Sequence, residues 1–186
     1  MKKVLLAIAF VATTFGIFSF TKKGGDVLKV NTTSSKIEWV GSKTGGSHPG
    51  YFLLKAGEIE LQGGKLTGGK FFIDLASLKV TDGAGEKLEG HLKAPDFFDF
   101  AKGTEAVYEI TNVKYTAANT ASIEGKLTLK GVTAPVNFNA TISSADAKNF
   151  AGEASFKLDR TAFGINYGIG KVANEVDIKV TLVASK

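Results

Sequence analysis

Apolar and polar residues alternate one by one along much of this chain. The alternation is clearest at residues 127–129, 136–142, 154–158 and 176–182, where every second residue is Val, Ile, Leu, Phe or Ala. A period of two residues is typical of a β-strand that buries one face and exposes the other to water. Strands of this kind have to close on themselves or pack on a second sheet, because their apolar face must be covered.

Further strands are predicted at 27–31, 36–41, 51–61, 69–76 and 106–115. The glycine pairs Gly45-Gly46, Gly63-Gly64 and Gly68-Gly69 supply turns between strands. Residues 85–94 favour a helix, because Leu88 and Leu92 are four residues apart and Pro95 ends the segment. We therefore predict a single all-β domain of about eight or nine antiparallel strands, closed as a barrel or a two-sheet sandwich, with one short helix near residues 85–94.

A transmembrane β-barrel would show the same alternation with its apolar face turned outward. Its strands would run to about ten residues and would carry aromatic girdles at both ends. Most of the alternating runs here are shorter, and the chain ends in Val-Ala-Ser-Lys. The sequence therefore favours a soluble barrel whose apolar face points inward.

The first twenty residues differ from the rest of the chain. Lys2 and Lys3 precede an apolar segment, residues 4–20, that contains no charged residue. This arrangement is typical of a secretory signal peptide, and at this length a retained membrane anchor is the alternative. We predict a signal peptide at 1–20, a flexible mature start at 21–27 and the folded domain at 28–186, and we expect the protein in the periplasm or secreted.

Composition excludes several classes of function. The chain contains no cysteine, which excludes disulfides, thiolate chemistry, cysteine metal sites and lipid attachment to a cysteine. The formal net charge is +5, to which Lys2 and Lys3 contribute two units, and no basic run occurs. Because nucleic-acid binding uses clustered basic patches, we expect no nucleic-acid partner.

Two segments each combine a histidine with aromatic residues. In the first, Gly46 to Phe52, His48 either fixes a turn or makes a polar contact at the mouth of a cavity. In the second, Gly90 to Phe100, the pair Phe97-Phe98 either fills one end of the barrel as plain core or lines a ligand tunnel.

Arg160 is the only arginine, since every other basic residue is lysine. A guanidinium can bind a carboxylate in a bidentate manner and stack on an aromatic ring, which an ammonium cannot do. If the strand of residues 154–158 continues regularly, Arg160 points inward, near Phe163 and Tyr167. Its charge then requires either a hydrogen-bonded partner or contact with water. We predict a carboxylate partner at the rim, in the segment Asp96–Asp99, that holds the Phe97-Phe98 pair in place. A contact to the head group of a ligand is the alternative.

The sequence contains few residues and no motifs that are typical of a catalytic site. No Gly-x-Ser-x-Gly, P-loop, His-Glu-x-x-His or dinucleotide fingerprint occurs. The enzymatic alternative would have His48 and His91 share a metal or a proton with Asp96 or Asp99. We predict no catalytic residues, no metal site and no cofactor, and therefore a protein that is not an enzyme.

Four motifs occur in a fixed order along the chain. They read Gly-Ser-His-x-Gly-x-Phe from residue 46, His-Leu-Lys-Ala-Pro-Asp-Phe-Phe-Asp from 91, Gly-Lys-Leu-Thr-Leu-Lys-Gly-Val-Thr-Ala-Pro-Val from 125, and Leu-Asp-Arg-Thr-Ala-Phe-Gly-Ile-Asn-Tyr-Gly from 158. Taken together, they resemble the YceI-like family of periplasmic polyisoprenoid-binding proteins over roughly residues 28–184.

The resemblance implies an extended lipocalin-like antiparallel barrel whose tunnel holds a long-chain isoprenoid or an isoprenoid quinone-type lipid as its ligand. On that basis we expect a monomer or homodimer that makes transient contact with membranes. The candidate residues of the tunnel or its mouth are His48, Phe52, Phe72, His91, Phe97, Phe98, Phe138, Phe156, Arg160, Phe163 and Tyr167.

Physical chemistry makes such a carrier reasonable on its own terms. A small barrel can hold one ligand, and each buried methylene contributes ~0.8 kcal/mol, so a few isoprene units suffice for micromolar binding after the cost of association. Two alternatives remain: an enzyme acting on a similar lipid through His48 or His91, and a partner-binding barrel with a solid core. The last would require Phe72, Phe138 and Phe156 to meet Val180 across the axis.

Overall fold

The structure, a computed structural model, describes residues 25–186; the predicted signal peptide, 1–20, and residues 21–24 of the predicted flexible start lie outside the described residues. Asp26 and Val27, which we assigned to the flexible start, belong to the first strand. The strands are β1 (Asp26–Val30), β2 (Lys36–Lys43), β3 (Gly46–Gln62), β4 (Lys65–Val80), β5 (Glu105–Ala117), β6 (Thr120–Leu129), β7 (Val132–Ala145), β8 (Asn149–Asp159) and β9 (Val172–Ser185).

Antiparallel pairing closes the sheet into a barrel, which confirms the predicted fold class. Eight strands form the closed circle in the order β2-β9-β8-β7-β6-β5-β4-β3, and β3 returns to β2. Tight turns join neighbouring strands: Gly63 and Gly64, both with positive φ, connect β3 to β4 as predicted, whereas Gly68 and Gly69 lie within β4 and form no turn. A left-handed backbone at both turn residues matches the twist of the strands, and glycine adopts it without steric cost.

The ninth strand, β1, lies between β3 and β9, as β2 does, but nearer the other end of the barrel. The second half of β3 and the end of β9 pair with β1, whereas the first half of β3 and the rest of β9 pair with β2. The chain leaves the sheet between β1 and β2. There the hydroxyl of Ser35 bonds to the backbone of β9, accepting from Val183 N at 3.0 Å and donating to Val183 O at 3.1 Å. Ser35 is therefore buried although it is polar.

A short helix crosses one end of the barrel. Helix α1 (Gly85–Leu92) begins and ends within the predicted range, and Ala94 N bonds back to His91 O in a tighter turn before Pro95. The buried carboxylate of Glu89 accepts from the backbone N–H of Val80 at 3.0 Å and from Lys79 Nζ at 3.1 Å, which ties the helix to β4. Two 3-10 helices, Phe100–Lys102 and Arg160–Phe163, lie at the same end.

No helix among residues 25–186 is both long and apolar enough to cross a membrane.

Candidate ligand cavity

The barrel encloses an open space rather than a solid core. The cavity has a volume of about 630 Å³, and its wall is almost entirely apolar. The inward residues of the alternating runs line it, including Phe138 and Ala140 of β7 and Phe156 and Leu158 of β8. The solid-core alternative is therefore wrong.

The cavity is elongated along the barrel axis. On β9 its lining extends from Val172 to Leu182. Ten steps along a strand cover about 33 Å, which is about 25 Å along the axis of a barrel whose strands tilt by 35–45°. A space of 630 Å³ spread over that length has the cross-section of one extended hydrocarbon chain rather than of a compact ring system.

Stacked aromatic rings form part of the cavity wall. The rings of Phe138 and Phe156 are nearly parallel with centroids 4.5 Å apart, and Tyr108 follows at 5.6 Å from Phe138. The Tyr108 hydroxyl donates to Val136 O at 2.9 Å, and it lies over Gly125, where a Cβ would overlap it. Burial raises the pKa of Tyr108, so this hydroxyl stays neutral and adds no charge to this part of the wall.

The end of the cavity crossed by α1, here called the mouth, carries the polar groups. His91 of α1 contacts Tyr167 and Phe97 edge to face, with ring centroids 4.6 Å and 5.0 Å apart. Its Nε2 lies 3.1 Å from an Asp96 carboxylate oxygen. Tyr167 remains 43 % exposed although it lines the cavity, which marks this end as the side that is open to solvent.

His48 also lies at the mouth, within β3 rather than in a turn. Its Nδ1 is 2.8 Å from a carboxylate oxygen of Asp82. This hydrogen bond, together with one from Ala84 N, lowers the pKa of Asp82. The two histidines pair with different carboxylates, and residues 25–186 contain no group of three potential metal ligands.

The predicted partner of Arg160 is wrong. The guanidinium is buried, and it donates to three backbone carbonyls: Ile165 O at 2.6 Å, Ala173 O at 2.9 Å and Val172 O at 3.2 Å. The strand stops at Asp159, and a 3-10 helix follows, so the side chain turns toward the start of β9 instead of toward Asp96–Asp99. The carbonyls of residues 172 and 173 lie beyond the paired end of β8, and Arg160 satisfies them.

The Phe97-Phe98 pair is held in place by other contacts. Phe98 N bonds to Leu92 O, and Lys130 Nζ donates to Pro95 O at 2.8 Å. Both rings line the cavity, and Phe98 meets Phe52 edge to face at 5.4 Å. The pair is thus both a cover for the mouth and part of the wall, which are the two roles that the sequence left open.

Nine of the eleven candidate residues line the cavity: His48, Phe52, His91, Phe97, Phe98, Phe138, Phe156, Arg160 and Tyr167. Phe72 and Phe163 do not. Phe163 is 1 % exposed in the core beside the cavity. Phe72 points to the outer face, where Lys70 lies over its ring. The β3–β4 register shifts opposite Glu60 and Leu61, where β4 contains one extra residue, and this bulge turns Phe71 inward in place of Phe72.

Four aromatic residues of the wall were absent from the candidates: Trp39, Phe71, Tyr108 and Phe150. Phe71 takes the place assigned to Phe72, and Trp39 lines the wall from β2. The Trp39 indole lies on Gly50, whose missing side chain leaves room for the ring. Within the described part of the chain, its Nε1 is the one buried side-chain nitrogen or oxygen without a hydrogen-bond partner. Alternation with Ile37 and Gly41 was the available signal.

A small antiparallel barrel that encloses one elongated apolar cavity, with polar groups at one mouth, defines a lipocalin-like binding protein. Residues 28–184 match the profile of the YceI-like domain, and the chain belongs to this family. This confirms the resemblance drawn from the four motifs.

Curated relatives are similar over most of their length. A UPF0312 protein of Pseudomonas fluorescens is 32% identical over 156 residues, which are 81% of this chain and 80% of that protein. A UPF0312 protein of Pseudomonas putida is 30% identical over 151 residues, 75% of this chain and 78% of the relative.

Solved structures share the fold. BcnA of Burkholderia cenocepacia superimposes with a TM-score of 0.72 at 23% identity, over 84% of this chain and 99% of its own. A polyisoprenoid binding domain from Saccharophagus degradans, implicated in plant cell wall breakdown, gives a TM-score of 0.66 at 15% identity, over 85% and 97%.

Proposed function

We propose that the protein is an exported, soluble carrier or store for one long-chain isoprenoid or isoprenoid quinone-type lipid. The observation that carries the proposal is the elongated apolar cavity of about 630 Å³. Transfer of a hydrocarbon chain from water into such a space is worth ~0.8 kcal/mol for each buried methylene, and a single narrow chain matches the length and the cross-section of the cavity. The description of the Saccharophagus degradans neighbour as a polyisoprenoid binding domain supports the same class of ligand.

Extraction tests the proposal directly. Protein purified from its native cells should release a long-chain lipid into organic solvent, in near-stoichiometric amount by mass spectrometry. Ala140→Phe, which fills the cavity from an inward position, should remove that lipid, whereas Asn139→Phe on the outer face should retain it. Folded wild-type protein that yields no lipid and takes up none when it is offered contradicts the proposal.

Export is the part of the proposal that rests on residues 1–20. The mature protein should be recovered from the periplasmic fraction or the medium, with a mass that lacks about twenty N-terminal residues. A full-length mass in the membrane fraction would support the retained anchor instead.

A second candidate, an enzyme acting on a similar lipid, is favoured by one observation: two histidine–carboxylate pairs, His48–Asp82 and His91–Asp96, lie at the mouth of the cavity. Groups of this kind can transfer protons. The carrier proposal expects the bound lipid to have the same mass before and after long incubation. Conversion of the lipid that stops in His48→Ala or His91→Ala, with binding retained, would establish the enzyme.

A further inference from the structure

Arg160 is a buried cation without a carboxylate partner. It is 5% exposed, and its hydrogen bonds within the described chain all go to backbone carbonyls. The neighbouring Asp159 attracts Arg160 electrostatically but forms no hydrogen bond with it. The carboxylate oxygen of Asp159 instead accepts from Thr161 N at 2.8 Å and from Thr161 Oγ1 at 2.6 Å. Burial without a counter-ion is costly for a charged group, so this guanidinium is poised to gain from an anion.

Arg160 also has N–H donors from which no described residue accepts. A guanidinium carries five N–H groups, and the protein accepts from Nε once and from each terminal nitrogen once. One N–H on each terminal nitrogen is therefore left without an acceptor among residues 25–186, and Arg160 lies in the cavity wall.

Two lysines at the same mouth add positive charge. Lys43 at the end of β2 and Lys171 just before β9 both line the cavity, and neither forms an ion pair with a described residue. The backbone bond from Thr44 N to Lys171 O, 2.8 Å, keeps their two segments side by side. The carboxylates of Asp82 and Asp96 at this mouth are each engaged by a histidine.

We propose that the mouth selects amphiphiles with an anionic head group, a phosphate monoester or a carboxylate, which accepts hydrogen bonds from Arg160 and is attracted by Lys43 and Lys171. The inference rests on the proposed lipid-binding function and adds the chemical class of the head group. A charge-assisted bond to the buried guanidinium is stronger than a neutral one, so the head group decides among lipids whose chains bind equally well.

Titration with three ligands that share one chain and differ in head group tests the proposal. The probes are geranylgeranyl phosphate, geranylgeranoic acid and geranylgeraniol, and the readout is the fluorescence of Trp39, the single tryptophan, which lies in the cavity wall. Because an anionic head group gains a charge-assisted bond, we expect the dissociation constant of at least one anion to be about tenfold or more below that of the alcohol. The ratio between the two anions separates phosphate from carboxylate as the preferred head group. Equal binding of all three overturns the inference and leaves the carrier function standing, whereas binding of none contradicts the carrier function itself.

Paired variants assign the preference to these residues. Lys43→Ala with Lys171→Ala should reduce the anion-to-alcohol affinity ratio several-fold, and Lys114→Ala with Lys126→Ala, which removes the same charge from β5 and β6, should not. Neither Arg160→Lys nor Arg160→Met can keep all three carbonyl bonds, but only the lysine keeps the charge, so Lys should retain part of the preference and Met should lose it. If neither Arg160 variant folds, the lysine pair decides: an unchanged ratio in that variant overturns the inference.

Discussion

The two ends of the barrel use the same alternating pattern for opposite purposes. At the end where β1 joins β3 and β9, here called the closed end, Leu28, Ile59 and Leu61 are at most 1% exposed, and none of them lines the cavity. At the mouth several side chains that line the cavity, such as His48, His91 and Tyr167, are partly exposed. The closed end therefore supplies the close packing that the part of the barrel around the cavity lacks.

The sharpest way to break this comparison is to make the same substitution in both regions. Ile59→Ala at the closed end should lower the free energy of unfolding of the lipid-free protein by about 2–5 kcal/mol, because it opens a hole in close-packed core. Ile178→Ala on the cavity wall should cost clearly less, since Ile178 already borders empty space and has fewer contacts to lose.

Urea unfolding of both variants measures the difference, and lipid titration should show the reverse order, with Ile178→Ala weakening binding and Ile59→Ala leaving it close to that of the wild type. Equal losses of stability would mean that the cavity is collapsed in solution.

Arg160 gives the next largest effect, at the mouth. Arg160→Lys should lower the free energy of unfolding by about 2–4 kcal/mol, because one ammonium group cannot reach all three carbonyls that the guanidinium serves and buried acceptors are left unpaired. Lys171→Met, an exposed change in the adjoining segment, should stay within about 0.5 kcal/mol of the wild type. A fully stable Arg160→Lys protein would show that the carbonyl bonds carry no net energy.

The fold could be predicted from the sequence because a period of two survives in nearly every strand and a closed sheet is the simplest way to bury one face. The side on which a residue lies could not always be predicted. Phe72 was assigned inward, yet the extra residue in β4 turns Phe71 inward, and a bulge of that kind leaves no clear trace when two phenylalanines are adjacent.

The partner of Arg160 was unpredictable for a different reason. The sequence offers carboxylates at Asp96 and Asp99 but gives no sign of which backbone carbonyls remain unpaired where β8 ends. Those acceptors exist only once the strands are in register, and Arg160 was inferred correctly to have a geometric task but assigned to the wrong acceptor.

A smaller effect tests the tight packing of the wall near the mouth. A Cβ at Gly50 would overlap the Trp39 ring and the carbonyl of Lys79, whereas a Cβ at Gly46 has nothing within 4 Å. Gly50→Ala should therefore cost about 1–3 kcal/mol and shift the emission of Trp39, and Gly46→Ala should do neither. Unchanged fluorescence in folded Gly50→Ala would show that the indole is mobile within the cavity.

The smallest expected effect is on the stability of the protein at acid pH. It can be measured for one carboxylate at each end of the barrel, Asp82 at the mouth and Asp146 at the closed end. The hydrogen bond from His48 lowers the pKa of Asp82 at the mouth, and the backbone N–H groups of Lys148 and Asn149 lower that of Asp146 in the turn at the closed end. A depressed pKa means that the folded state favours the ionised form, so each contribution is complete above the ordinary value of 3.8 and is lost as the pH falls through the lower folded value.

Asp82→Asn and Asp146→Asn should each flatten the decline of the thermal midpoint below about pH 4, and only Asp82→Asn should also change the acid release of bound lipid, because only that carboxylate borders the mouth. A wild-type slope in Asp82→Asn would contradict the role of the His48 bond. Lipid release altered equally by Asp146→Asn would show that the two ends of the barrel are coupled rather than independent.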